Sequence, residues 1–278
     1  MKIPTKEFYI GHLNNFAQYS QSRKWNVWYA TVARHKALRT AQILGLYKNK
    51  DAKLLDLGCG IGLTLSILAQ KFPNSVGCDI DKDMSRATNE VLREVGLKTP
   101  VIIYDGKKLP FKNNEFDIVA SIEVIEHVQN PQQFLKEIFR VLKKDGVLHI
   151  TTANKWWPYE PHFKLLFLSY LPESLADVYV RLSGRGESYH GIKLPSYGKF
   201  KGMLEKQFNV EDITLNIIRE YKKYHFDQER GRKVILVGKF LQLLQGLDNT
   251  FFSPVSNFVR EALLRVSLGW LFIARPRK

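Results

Sequence analysis

Between residues 54 and 152 the apolar positions fall into short runs that end in an acid or a turn residue, separated by stretches with helical spacing. The runs are Leu54-Leu55-Asp56-Leu57, Val76-Gly77-Cys78-Asp79, Val101-Ile102-Ile103-Tyr104, Phe116-Asp117-Ile118-Val119 and Val147-Leu148-His149-Ile150. After the first of them Leu63, Leu65, Ile67 and Leu68 begin a helical pattern. Strands alternating with helices predict an α/β unit: a parallel sheet with helices on both faces and a ligand at the carboxyl ends of its strands.

On either side of this unit the rhythm changes. Val27, Tyr29, Val32, Ala33 and Leu38 recur at near-helical spacing and predict a helix leading into the domain. After Thr152 come an aromatic stretch holding His162, the apolar run from Leu165 to Leu171, and a glycine-rich stretch holding His190. Tyr197 to Gln207 then reads as a helix, Val210 to Ile218 as a strand and Lys233 to Gly238 as a last strand. The basic, aromatic segment 219–225 forms a hairpin tip between those two strands, or a patch for nucleic acid. On a helical wheel from Asn257 to Ile273 the polar set Arg260, Glu261, Arg265 and Gly269 is a narrow stripe beside a wide apolar face that includes Leu263, Leu264, Trp270, Leu271 and Phe272. Three readings of that face stay open: an in-plane membrane helix with cations at its end, a helix packed on its own core, and an interface with a second subunit. The expected organisation is an N-terminal helical cap over 1–50, the α/β domain over 51–239 with an insertion at 153–195, and an amphipathic helical tail over 240–278.

The chain has 278 residues, enough for a full core, and a formal net charge of +15. Such a basic balance points to an anionic partner, a membrane surface or nucleic acid. The two cysteines, Cys59 and Cys78, read as small buried residues, in keeping with a cytoplasmic location. The N-terminus lacks the apolar run of a signal peptide, and no segment reaches the roughly 18 apolar residues of a spanning helix.

The candidate chemistry starts at Asp56-Leu57-Gly58-Cys59-Gly60-Ile61-Gly62. Glycines between a strand and a helix let backbone N–H groups approach a ligand with no Cβ in the way. A dinucleotide fingerprint would need a third glycine at Leu63, so it fails. Asp56 would repel a pyrophosphate but attract an ammonium group. The segment resembles the first motif of class I S-adenosylmethionine-dependent methyltransferases, and the later runs match that family's ladder in order over residues 50–153. The resemblance implies a Rossmann-like seven-stranded sheet whose last two strands are antiparallel, with S-adenosyl-L-methionine as cofactor. It implies contacts from Asp56, Gly58, Gly60 and Gly62, a ribose contact from Asp79 and an adenine turn at Asp105-Gly106. It also implies that the helix before the first strand covers the cofactor and that the insertion covers the substrate. The plainer roles open to Asp79 and Asp105 are a helix N-cap and an ordinary turn acid.

Catalytic candidates lie just after the fourth strand. On a helical turn Glu123, Glu126 and His127 would share one face at i, i+3 and i+4. The Glu-x-x-Glu-His pattern resembles one in the ubiquinone-type O-methyltransferases and the small-RNA 2′-O-methyltransferases, where it is associated with a divalent cation on the acceptor hydroxyl. Glu123, Glu126 and His127 are then metal ligands, with His162 or His190 as the fourth; otherwise His127 is a base or a packing residue. The expected function is methylation, on oxygen, of a lipid-like or membrane-associated small molecule. An RNA methyltransferase, with nucleic acid the lesser partner, and a cofactor-binding module without chemistry remain as alternatives.

Overall fold

The computed structural model describes residues 4–15, 23–246 and 253–277. Two helices, α1 (Lys6–Asn15) and α2 (Arg23–Leu44), precede the alternating unit. That unit runs β1 (Leu54–Leu57), α3 (Leu63–Lys71), β2 (Ser75–Asp79), α4 (Lys82–Glu94), β3 (Val101–Ile103), β4 (Phe116–Ile122), α5 (Pro131–Val141) and β5 (Leu142–Ala153). The inserted stretch holds the small hairpin β6 (Tyr159–Glu160) and β7 (Leu165–Leu166), then α6 (Glu173–Leu182). The chain ends through α7 (Tyr197–Glu205), β8 (Phe208–Asp212), α8 (Thr214–Arg219), α9 (Phe226–Arg230), α10 (Arg232–Gln245), α11 (Ser253–Val266) and β9 (Gly269–Pro276).

The seven-stranded sheet has the order β3-β2-β1-β4-β5-β9-β8. β9 is antiparallel to both of its neighbours, pairing Ile150 with Phe272 on one side and Val210 with Ala274 on the other. Successive side chains leave opposite faces of a strand. One face therefore packs Leu55, Val119, Ile150, Trp270 and Phe272 against Phe134, Ile138, Phe200 and Leu264 from the helices. The other packs Leu54, Ile118 and Ala120 against Tyr9, Ala37 and Ile67, and Leu271 and Ile273 against Ile43 and Ile217. Asp81 caps α4 by accepting from the amides of Asp83 and Met84, so Asp79 is free of that duty.

Four expectations for the C-terminal third are corrected. The strand expected from Val210 to Ile218 is β8 followed by the helix α8, and Lys233 to Gly238 lies in the helix α10. Residues 219–225 are no hairpin tip, and Tyr221 and Tyr224 are buried. The wheel from Asn257 to Ile273 joins two elements: α11 ends at Val266 and the seventh strand starts at Gly269. Trp270, Leu271 and Phe272 are apolar on both sides because β9 is covered on both faces, and such a run looks the same as a buried helix in the sequence. They fill the core and cannot enter a membrane while the domain is folded. Among the described residues no helix is long and apolar enough to cross a membrane.

Trp270 is 1% exposed, and its indole N–H donates to the Leu264 carbonyl at 2.7 Å. Trp270→Ala is expected to cost about 3–5 kcal/mol of stability, read as a lowered denaturant midpoint. A chain cut before Gly269 is expected to aggregate, as followed by size-exclusion chromatography. A truncated chain that melted like the intact protein would show that β9 is dispensable.

Candidate active site

The first half of the site is the turn between β1 and α3. Gly58 and Gly62 both have φ +78°, in the left-handed region. A Cβ on Gly58 would stand 2.5 Å from a methyl of Val124, and one on Gly62 would stand 2.7 Å from a methyl of Thr88. The glycines thus let β4's outgoing loop and α4 close onto the turn. The Gly60 amide donates to Asp79 Oδ2 at 2.8 Å, and the Asp81 amide donates to Oδ1. Asp79 and the turn therefore form one polar rim at adjacent strand ends.

Asp56 is 2% exposed, and its Oδ2 has no hydrogen-bond partner among the described residues. Burial first, and the Asp79 charge second, push its carboxyl up to about 7. A buried carboxylate in that condition suits a cationic amino acid group and opposes a phosphate, so the residues fit S-adenosylmethionine. Asp105 is exposed and accepts from the amides of Lys107 and Lys108 at 2.8 and 3.1 Å. These backbone bonds, Lys107 first, hold its carboxyl below the usual range. Asp105 is thus a turn acid, with Gly106 beside it at φ +75°. Ile80 was missed by the sequence reading. It is 62% exposed directly after Asp79, and its methyl lies 3.5 Å from where a Gly106 Cβ would stand. An apolar residue just beyond the acid that ends a strand was the available signal.

The second half of the site is built around the single 3₁₀ turn Ile125–His127. Because that turn is short, and Glu123 precedes it with φ +57°, Glu123 does not share a face with Glu126 and His127. The structure gathers Glu126, His127 and His162 instead, with one ligand atom from each lying within 4.8 Å of the others. Glu123 turns to Lys36 of α2, whose ammonium lies 2.5 Å from its Oε2. His190 pairs with Glu173 at 2.7 Å on the exposed start of α6, so of the two histidines expected as a fourth ligand only His162 arrives.

Each member is held by a different element. Glu126 is buried, its Oε2 accepts from Thr152 Oγ1 at 3.0 Å, and its Oε1 has no hydrogen-bond partner among the described residues. Its backbone carbonyl accepts from the Lys193 amide at 2.7 Å, which ties the insertion to the turn. The rings of His127 and His162 meet edge to face, 5.1 Å between centroids. His162 Nδ1 bonds the buried Glu160 Oε1 at 2.7 Å, so its other nitrogen is left for the cluster.

The charges are set in opposite directions. The Glu123 side chain is 43% exposed; partial desolvation works to raise its carboxyl, but the Lys36 ammonium and its hydrogen bond outweigh it and hold the group at about 2. Burial, then the Glu123 charge, push Glu126 up to about 7. Burial, then the charge of His162, lower His127 below the usual histidine value. Burial would lower His162 too, but the hydrogen bond and charge of Glu160 prevail and raise it. The stability this pair supplies is therefore full below the unfolded histidine pKa of 6.5 and is lost as pH rises through the raised folded value. Glu160→Gln is expected to drop His162 below the ordinary range, as read by histidine ring NMR titration. An unmoved titration would remove Glu160 as its partner.

Residues 55–150 match the family model of a methyltransferase domain. The ubiquinone biosynthesis O-methyltransferase of Pelagibacter ubique is 32% identical over 112 residues, 38% of this chain and 44% of that protein. The demethylmenaquinone methyltransferase of Lactobacillus johnsonii is 32% identical over 176 residues, 59% of this chain and 70% of that one. Several further curated relatives are matched over less than half of their own length, 37% and 49% in two cases. The crystal structure of the YcgJ protein from Bacillus subtilis superposes with a TM-score of 0.53 at 17% identity, covering 88% of this chain and 99% of that one, a likeness of fold alone. With the glycine turn, the unpartnered Asp56 and the seven-stranded order in place, these similarities show that the chain belongs to the class I S-adenosylmethionine-dependent methyltransferases.

Proposed function

We propose that the protein transfers the methyl group of S-adenosylmethionine to an oxygen of a small, lipid-like acceptor that binds over Glu126, His127 and His162. The observation that carries the reading is the meeting of these three side chains, from the β4 loop and the insertion, beside the turn that Val124 closes. The names of the quinone-pathway relatives agree with a small acceptor. Two free buried cysteines agree with a reducing cytoplasm.

Transfer is an in-line displacement. The acceptor oxygen bonds to the methyl carbon as the carbon–sulfur bond breaks, and the sulfonium charge is discharged onto a neutral thioether. Alignment of the three atoms supplies much of the rate. Glu126 Oε1, unpartnered and poised at about 7, accepts the hydroxyl's hydrogen bond and then its proton. Thr152 fixes the other carboxylate oxygen and so the direction in which Oε1 points. Glu126, His127 and His162 also fit a divalent cation, with Glu160 orienting His162 from behind. When bound, such a cation supplies a lowered proton affinity at the acceptor hydroxyl. The +15 charge favours a second reading, an RNA acceptor, and steeply salt-dependent RNA binding would support it over the first.

Labelled methyl transfer into fractionated lipid, small-molecule and RNA extracts tests the acceptor class. Asp79→Ala is expected to weaken cofactor binding by about 1.5–3 kcal/mol in calorimetry, as hydrogen bonds to a charged group are lost. Unchanged affinity would remove Asp79 from the cofactor site. Glu126→Gln and His162→Ala are expected to lower kcat about 100-fold or more while cofactor affinity stays near the wild-type value. Dialysis against a chelator mimics His162→Ala if the cluster holds a cation. Full turnover in both variants would reject the proposed acceptor site.

A further inference from the structure

α10 carries an apolar stripe that no other described element covers. Its buried side consists of Val234, Gly238, Leu241 and Leu244. A Cβ on Gly238 would stand 2.4 Å from the Tyr221 ring and 2.7 Å from the Ile218 carbonyl oxygen, so the helix lies flush against α8. On the opposite side Leu236, Phe240 and Leu243 recur at i, i+4 and i+7 and are 68%, 43% and 72% exposed, with Val237 beside them. α11 starts alongside, where Ser256 Oγ lies 3.5 Å from the Leu244 carbonyl, and its Val255 and Phe258 are exposed as well.

The charges around this stripe identify its partner. α10 has three cations, Arg232, Lys233 and Lys239, and no acid. All three are exposed, and none joins an ion pair among the described residues. On a helical wheel Arg232 and Lys239 fall on one flank of the Leu236–Phe240–Leu243 line and Lys233 on the other. Long basic side chains in those places keep their ammonium and guanidinium groups at a headgroup layer while the stripe reaches the acyl boundary. A second copy meeting this surface through a two-fold axis would bring like charges together, which opposes self-association.

We propose that α10, with the start of α11, lies in the plane of an anionic lipid bilayer and holds the protein at its surface. The inference stands apart from the identity of the methyl acceptor. It replaces the membrane helix expected over Asn257 to Ile273, whose second half is the buried strand β9.

The test is flotation of the full chain with vesicles of zwitterionic lipid, alone and with added anionic lipid. The wild-type chain is expected to float with the anionic vesicles. The variant Leu236→Ser/Phe240→Ser/Leu243→Ser is expected to lose about tenfold or more in partitioning, and Lys233→Glu/Lys239→Glu a similar factor on anionic vesicles alone. All five positions are exposed, so the thermal melts of both variants should match the wild type and exclude misfolding as the cause. Failure of the wild type to float would overturn the proposal, as would a serine variant that floats equally well. It would also be overturned if ultracentrifugation showed a dimer that the serine variant dissolves while neither protein binds vesicles, since the stripe would then meet a second copy.

Discussion

The contact of Val124 with Gly58 is the constraint on which the rest of the site depends. It is available only because Gly58 has no side chain, and it sets the loop after β4 directly on the turn after β1. β1 and β4 are neighbours in the sheet, in register from Leu54 with Ile118 to Asp56 with Ala120, so their outgoing ends are already side by side. The glycine therefore serves both halves of the site. It leaves the backbone of the turn open, and it lets the segment bearing Glu126 and His127 settle against that backbone. Any side chain at Gly58 would push the two halves apart as well as obstruct the turn.

β9 completes the same region from the far end of the chain. Thr152, which aims Glu126, pairs with Trp270, and Asn154 just beyond β5 donates from its side-chain amide to the carbonyls of Arg265 and Ser267. The last strand is thus a wall against which the end of β5 is fixed. Burial of Trp270, Phe272 and Ile273 stabilises the domain, and through β5 it also fixes the place of a carboxylate in the site.

Legibility in the sequence followed the range of the interaction. The glycine turn, the strand that holds it and the acid ending β2 can be read because local spacing carries them: a turn with positive φ needs glycine, and a short apolar run that stops at an acid marks a strand end. The arrival of His162 at Glu126 was open to sequence reasoning only as one of two choices. It was decided by Glu160, which is buried and bonds both His162 and the Phe163 amide, whereas His190 has only the exposed Glu173. Glu123 lies off the face that helical spacing predicts because its left-handed backbone breaks that periodicity. In the sequence β9 and α10 each read as the other kind of element. A central strand covered on both faces shows no alternation, and α10 opens on a β-branched run that suits a strand, Val234-Ile235-Leu236-Val237.

Two carboxylates three residues apart, Glu123 and Glu126, are kept in different states by elements distant in sequence. Lys36 comes from a helix 87 residues before Glu123 and holds it ionised, while burial beside that fixed negative charge lifts Glu126 toward neutrality. Environments that drive neighbouring acids apart assign them different work. Glu123 belongs to the ion pair that fastens α2 over the site, and Glu126 is left with a proton affinity near that of the medium and an oxygen facing the cluster. The N-terminal helix enters the electrostatics of this region through that one ion pair: Lys36 keeps Glu123 ionised, and the Glu123 charge, after burial, raises Glu126. An apolar residue at position 36 would remove the ammonium paired with Glu123 and leave Arg230 as the next charge that holds its carboxyl down.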